Sequence, residues 1–262
     1  MHDVDCTVCG RRAVRDPFFY IWHDRRYWIM RCLSCSHQFV DPPVSVEEQR
    51  SIYSDHYFSN DGDWVCGIWD SDYVAAQPQL REEACEILGM LPMSSGCLLD
   101  IGCAGGTFLD EARRRGFSVF GIELNESMAR HARETYGIEV VQGRIEDVEP
   151  DTWHGHFDVV TVLDVLEHVP SPRPTLLKVS RWLKPEGILF LRGPMCNSRL
   201  ARAKEAVRRF FRVRKQLPGY PLDANAFNKR SLETLLSLTG FRVEAYFRET
   251  PGFANVMARR VA

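Results

Sequence analysis

One segment constrains this chain more than any other: Leu98-Leu99-Asp100-Ile101-Gly102-Cys103-Ala104-Gly105-Gly106-Thr107-Phe108. A short apolar run turns through small residues directly into helical spacing. Glycine accepts backbone conformations closed to other residues, and small side chains let a ligand approach the main chain. Glu123 lies 23 residues beyond Asp100, at the end of the next apolar run. A carboxylate there can accept from both hydroxyls of an adenosine ribose. The glycine-rich turn alone is a weak signal. Strand, turn, helix and distant acid together are a much stronger one.

The surrounding pattern predicts strands over residues 97–101, 118–123, 139–141, 157–163 and 188–191, with helices over 105–115, 126–136 and 173–183. Short strands alternating with helices imply an α/β fold, a parallel, doubly wound, Rossmann-like sheet. Residues 46–95 read as a helical connector. Ser45 is placed to cap its first helix, with Glu47 and Glu48 in the first turn. Leu80, Ala84, Ile87 and Leu88 give a later helix its apolar stripe. The expected division is 1–45, 46–95 and 96–262.

The competing ligand for the glycine-rich turn is NAD. Its pyrophosphate favours G-x-G-x-x-G, but Ala104 replaces the second glycine and Thr107 the third. Asp100 would repel a pyrophosphate. It suits instead a nucleoside ligand that carries an ammonium and a sulfonium.

The chain has nine cysteines and a net charge of −2, so no overall field recruits nucleic acid or an anionic membrane. Cys66, Cys85, Cys97, Cys103 and Cys196 are scattered. Cys6, Cys9, Cys32 and Cys35 form two C-x-x-C knuckles separated by 22 residues, with Gly10 and Ser36 directly after them. Each knuckle offers two thiolates from one tight turn, enough to close a tetrahedral structural Zn2+ site. The alternatives are unrelated thiols or a redox pair. His37 is a further possible ligand, strained by its closeness to Cys35. Such cysteine usage fits a reducing cytoplasm. Residues 1–30 carry charges and no apolar core, and no run reaches ~20 apolar residues, so neither a secretory leader nor a membrane span is expected.

Residues 98–109 resemble the first motif of class I S-adenosylmethionine-dependent methyltransferases. Asp158 to Val169 resembles the motif at their fourth strand, and Leu183-Lys184-Pro185-Glu186-Gly187 the turn before their fifth. Residues 225–262 are more loosely similar to their late helix and strands. The resemblance implies a seven-stranded sheet and S-adenosyl-L-methionine as cofactor. It implies that Asp100, Gly102 and Ala104 line the methionine end, that Glu123 binds ribose and that Leu124 packs on adenine. Gly143-Arg144-Ile145-Glu146 would reach the adenine edge. The family usually has Asp where Arg144 stands, which turns attention to the Ile145 backbone. Cys103, Phe108, Leu163 and Tyr57 complete the candidate cofactor set. The two knuckles, followed by Asp41-Pro42-Pro43 and then Tyr53, Tyr57 and Phe58, resemble bacterial methyltransferases with an N-terminal zinc ribbon, found in sugar and natural-product pathways.

Asp164, Glu167 and His168 follow the strand 157–163, at the carboxyl end of the sheet where ligands bind in such folds. His168 is the candidate general base, since an unperturbed imidazole titrates near ~6.5. Glu167 either orients it or binds substrate; the Glu-His pair could also simply shape the pocket. No catalytic metal is expected. Tyr53, His56 and Tyr57 form either a lid or packing between ribbon and core. Residues 199–215 carry eight basic residues against Glu205 and read as an amphipathic helix. It could be a solvated cover, a clamp for a phosphorylated or carrier-linked substrate, or a contact to membrane or RNA. The expected activity is O-methylation of a sugar or natural-product intermediate. An RNA methyltransferase gripping RNA through the ribbon and the basic helix is the main alternative. A non-catalytic cofactor-binding scaffold is another.

Overall fold

The computed structural model describes residues 4–53, 76–195, 215–217, 223–250 and 253–261. Two compact units divide the chain: residues 1–45, 164–180 and 190–262 in one, and 46–163 and 181–189 in the other.

The first unit contains a small sheet of β1 (Val4–Asp5), β2 (Arg12–Trp22), β3 (Arg25–Cys32) and β4 (Gln38–Asp41). These pair in order, antiparallel throughout. His23 and Asp24 join β2 to β3 with φ of 48° and 57°. Two consecutive left-handed residues match the twist of a two-residue hairpin. The β2–β3 register shifts between Arg15 and Phe19, the stretch that contains Pro17. Proline has no amide proton to give a ladder, so an irregularity there costs no bond.

Two short strands from the far end of the chain complete this sheet. β10 (Lys215–Gln216) runs parallel to β2 at Phe18 and Phe19. β11 (Asn225–Ala226) runs antiparallel to β4 at Phe39 and Gln38. Lys215 is therefore a strand residue, although the sequence places it at the end of the basic helix. The rest of that segment, 199–214, lies outside the described residues.

The larger sheet has seven strands: β5 (Gly96–Ile101), β6 (Phe117–Glu123), β7 (Glu139–Gln142), β8 (Phe157–Leu163), β9 (Leu183–Pro194), β12 (Phe241–Thr250) and β13 (Phe253–Arg260). Their order is β12-β13-β9-β8-β5-β6-β7. β5, β6, β7 and β8 run parallel, and β12 and β13 form an antiparallel pair. This is the predicted doubly wound α/β class. The order reverses at β5, and ligands in such sheets bind beyond the strand ends at this switch point.

α1 (Val46–Ile52) and α2 (Gln77–Met90) precede the sheet. α3 (Thr107–Arg114), α4 (Glu126–Tyr136), α5 (Pro172–Trp182) and α6 (Lys229–Leu238) alternate with its strands. Ser45 directly precedes α1, as expected. α3 starts two residues later than the predicted 105–115, because Gly106 stands outside the helix at φ 87°. α4 matches its prediction. The Asn125 side chain caps it by accepting from the Met128 amide at 2.9 Å, and Gly137 ends it at φ 64°. These are the residue types that satisfy the unpaired groups of helix ends. Leu98, Leu99, Phe157, Val159, Val160 and Ile188 are fully buried. Continuous apolar strands of this kind belong to parallel sheets covered on both faces. Among the described residues, no helix is long and apolar enough to cross a membrane.

Candidate functional site

The glycine-rich turn leaves β5 through Gly102 at φ 77°, Ala104 at φ 46° and Gly106 at φ 87°. Alternating left-handed residues fold the chain back on itself. The Gly102 and Cys103 amides donate to the Ile122 carbonyl at 2.8 and 3.1 Å, fastening the turn to the end of β6. A Cβ on Gly106 would stand 2.8 Å from that of Ala132, so glycine lets α4 approach.

Glu123 meets this turn from β6. Its Oε2 accepts from the Ala104 amide at 2.8 Å and its Oε1 from the Asn125 amide at 2.7 Å. The side chain is buried. Burial pushes its carboxyl up, and the Asn125 and Ala104 amides pull the other way. Each oxygen keeps a further lone pair, so the group can still accept two hydrogen bonds. Asp100 is also buried, and its Oδ1 accepts from the Thr161 hydroxyl at 2.6 Å.

The remaining expected cofactor residues distribute around this frame. Phe108 and Leu124 are half-buried, in the first turn of α3 and directly after Glu123. The Leu124 carbonyl accepts from the Gln142 side chain at 3.0 Å. Ile145 is buried beyond β7. Arg144 pairs with Glu146 at 3.3 Å, and its Nε is buried without a hydrogen-bond partner. Leu163 ends β8. Cys103 points inward: a Cβ on Gly121 would stand 2.6 Å from its Sγ. Burial holds its thiol well above the ordinary range. Tyr57 and His56 lie outside the described residues. Tyr53 is described, and its carbonyl accepts from the Asn125 side chain at 2.9 Å, which ties the end of α1 to the cap of α4.

The cluster after β8 belongs to the first unit. Asp164 adopts φ 55° and accepts from Arg192 Nε at 2.7 Å, while its Oδ1 is buried without a partner. Glu167 is buried. Its carboxyl is held well above the usual range by that burial and by the neighbouring Asp164. His168 Nε2 lies 3.8 Å from Glu167, too far for a hydrogen bond. Its Nδ1 lies 3.3 Å from Asp223 Oδ1. Asp223 and Arg192 are partners that sequence reasoning missed. Neither sits in a motif, and only the fold brings them to this turn.

The four knuckle cysteines converge. All four sulfurs lie within 4.8 Å of one another, with Cys6–Cys35 at 3.7 Å and Cys9–Cys32 at 3.5 Å. A tetrahedron with metal–sulfur bonds of about 2.3 Å has edges of about 3.8 Å, and the Cys6–Cys35 and Cys9–Cys32 pairs lie close to that length. Gly10 at φ 68° and Ser36 at φ 61° release the chain from the two knuckles. The Ser34 and Cys35 amides donate to the Cys32 sulfur at 3.3 and 3.4 Å. His37 stands outside the cluster: its Nε2 lies 2.9 Å from Asn225 Oδ1.

A family model described as a methyltransferase domain matches residues 76–246. The ubiquinone biosynthesis O-methyltransferase of Erwinia tasmaniensis is 37% identical over 98 residues, covering 36% of this chain and 40% of that protein. The Pseudomonas aeruginosa protein of the same name is 39% identical over 98 residues, 36% of this chain and 42% of that one. The chain thus spans less than half the length of these curated relatives. Among solved structures, magnesium protoporphyrin IX methyltransferase from Synechocystis superposes with a TM-score of 0.57 at 14% identity, over 81% of this chain and 98% of that one. An S-adenosylmethionine-dependent methyltransferase from Mesorhizobium loti gives 0.53 at 19% identity, over 67% and 96%. At these identities the likeness is one of fold.

Proposed function

The chain belongs to the methyltransferase domain family, and we propose that it transfers a methyl group from S-adenosylmethionine to an oxygen of a small sugar or natural-product acceptor. The observation that carries this reading is the clasp of Glu123 on the glycine-rich turn through the Ala104 amide. It holds a carboxylate with spare lone pairs beside a turn whose left-handed residues leave the backbone open to a nucleoside. Asp100 offers the second carboxylate, toward the ammonium end. When bound, the cofactor supplies an electrophilic methyl on a sulfonium.

His168 takes the proton of the attacking hydroxyl in this reading. Asp223 accepts from the Nδ1–H and so fixes the tautomer, which leaves the Nε2 lone pair as the base. Orientation of the acceptor in line with the sulfonium contributes the rest of the rate. Oxygen as acceptor atom draws on the names of the two relatives. The zinc expected on the four cysteines is structural, since four thiolates leave no position open to substrate.

The test has two parts. Calorimetry should show binding of S-adenosylhomocysteine and none of NAD. With an acceptor found by screening phenols and glycosides for S-adenosylhomocysteine release, His168→Gln should lose about 10²- to 10⁴-fold in kcat at unchanged cofactor affinity. Near-normal turnover removes His168 from the role.

RNA as the acceptor is a second reading, favoured by one surface. On the β2–β3 hairpin, Arg15 lies 4.4 Å over Trp28, Phe19 lies 5.0 Å from Trp28, and Arg26 lies 4.7 Å over Phe19. Alternating guanidinium and aromatic planes suit unstacked bases. Salt-dependent RNA binding that Trp28→Ala abolishes would establish it; no binding at low salt would sink it.

A further inference from the structure

Asn225 is almost fully buried, and it joins the cysteine knuckles to the turn that carries His168. Its Oδ1 lies 2.9 Å from His37 Nε2 and accepts from the Thr7 hydroxyl at 3.3 Å. Thr7 lies inside the first knuckle, between Cys6 and Cys9. His37 closes the second: its carbonyl accepts from the Cys32 amide at 2.8 Å. One carboxamide oxygen therefore reads both knuckles. On its other side, Asn225 Nδ2 donates to the Val169 carbonyl at 2.6 Å, and the Asn225 amide donates to the Glu167 carbonyl at 2.8 Å. Those two carbonyls bracket His168.

The amide orientation follows from chemistry. The Val169 carbonyl only accepts, so the NH2 must face it, and the oxygen must face His37 and Thr7. His37 then carries its proton on Nε2. Its Nδ1 is buried with no partner, as a bare lone pair can be.

We propose that Asn225 is a positioning residue through which the metal-closed knuckles set the backbone of residues 167–169 and thereby the His168 imidazole. The knuckles hold Thr7 and His37 at a fixed separation only while the four thiolates share an ion. Opening them withdraws two of the three partners of the Asn225 side chain. Buried amide networks of this kind have few alternative arrangements, because an unpaired group inside costs more than the bond gains. The inference rests on the proposed role of His168, but it can be tested without an acceptor.

The experiment follows the His168 ring by NMR in the zinc-loaded full chain with labelled histidine, its signal assigned by loss in His168→Gln. Glu167 and Asp223 are titratable groups that face this ring, so a displaced backbone alters its shifts and its titration. Asn225→Ala should move both while the chain keeps one zinc and binds S-adenosylhomocysteine within about twofold of the parent. Chelation of zinc from the unaltered chain should move the same signal in the same direction. Unchanged His168 signals in both cases overturn the proposal. If Asn225→Ala loses its zinc, the pair Thr7→Val and Thr7→Ser decides. A smaller shift in Thr7→Val, restored in Thr7→Ser, supports it; identical spectra overturn it. Failure to bind S-adenosylhomocysteine would count against the proposed function and leave this coupling standing.

Discussion

The Ala104 amide donates to Glu123 Oε2 at 2.8 Å, across 19 positions of sequence, while Oε1 of the same carboxylate accepts from Asn125 at 2.7 Å. One side chain thus holds the turn after β5 and the cap of α4 at once. Glu123→Gln should weaken S-adenosylhomocysteine binding by roughly 10- to 100-fold, since charge-assisted bonds are worth about 1.5–3 kcal/mol. A carboxamide offers only one oxygen and would turn its NH2 toward one of the two amides. Calorimetry checks this, and an unchanged affinity would remove Glu123 from the cofactor site.

Glu167 gives a pH signature. Burial and the nearby Asp164 raise its carboxyl well above the ordinary value in the folded chain. Between the unfolded value of ~4.3 and the raised one, the folded chain keeps a proton that the unfolded chain releases. Stability therefore falls as pH rises through that window, and above it the buried charge is a constant cost. Glu167→Gln should show a flatter profile of Tm against pH, gaining on the parent as pH rises. Parallel profiles from about pH 5 to about pH 9 would contradict the assignment.

Residues 96–163 were legible because their signals are local. β5 is a short apolar run interrupted only by Asp100; Asn125 and Gly137 punctuate α4; and the acid that ends β6 stands at a spacing the chemistry requires. β9 was only partly legible. Lys184-Pro185-Glu186-Gly187 reads as a turn, and Glu186 does adopt φ 63°, yet the strand runs from Leu183 to Pro194. The small sheet was half visible. Its knuckles are spelled out in sequence, but the two-residue β10 and β11 have no periodicity to find. Asn225 is the extreme case: its bonds to His37 and Thr7 span 188 and 218 positions. No window of sequence contains them, just as none pairs His168 with Asp223.

The knuckles predict a metal requirement. Cys32 is fully buried, faces Cys9 at 3.5 Å and accepts from two amides. Cys32→Ser should lose stoichiometric zinc, because a hydroxyl is a far poorer ligand than a thiolate. Structural zinc contributes about 10 kcal/mol or more to such small modules at neutral pH. Metal analysis and the near-ultraviolet circular dichroism of the hairpin aromatics check this. Chelation of the unaltered chain should give the same spectrum. Full zinc content in the variant would show that Cys32 is not a ligand.

Gly121 predicts a compensating pair. A Cβ there would meet Cys103 Sγ at 2.6 Å, Leu109 Cδ1 at 3.1 Å and Val140 Cγ2 at 3.2 Å. Real Cβ atoms do not approach so closely, so Gly121→Ala must push the Cys103 side chain aside. Overpacking of this kind costs about 1–3 kcal/mol. Cys103 has little freedom, since its own amide is pinned to the Ile122 carbonyl one residue beyond Gly121. The strain should therefore reach the turn and weaken S-adenosylhomocysteine binding as well as lower Tm. Adding Cys103→Ala removes the sulfur and opens room for the new methyl. The double variant should regain much of both losses, a coupling that residues in contact show and distant ones do not. Thermal melts and calorimetry on the two single variants and the double one complete the cycle. Strict additivity would mean that Cys103 does not pack where Gly121 leaves space, and that the turn owes its shape to other residues.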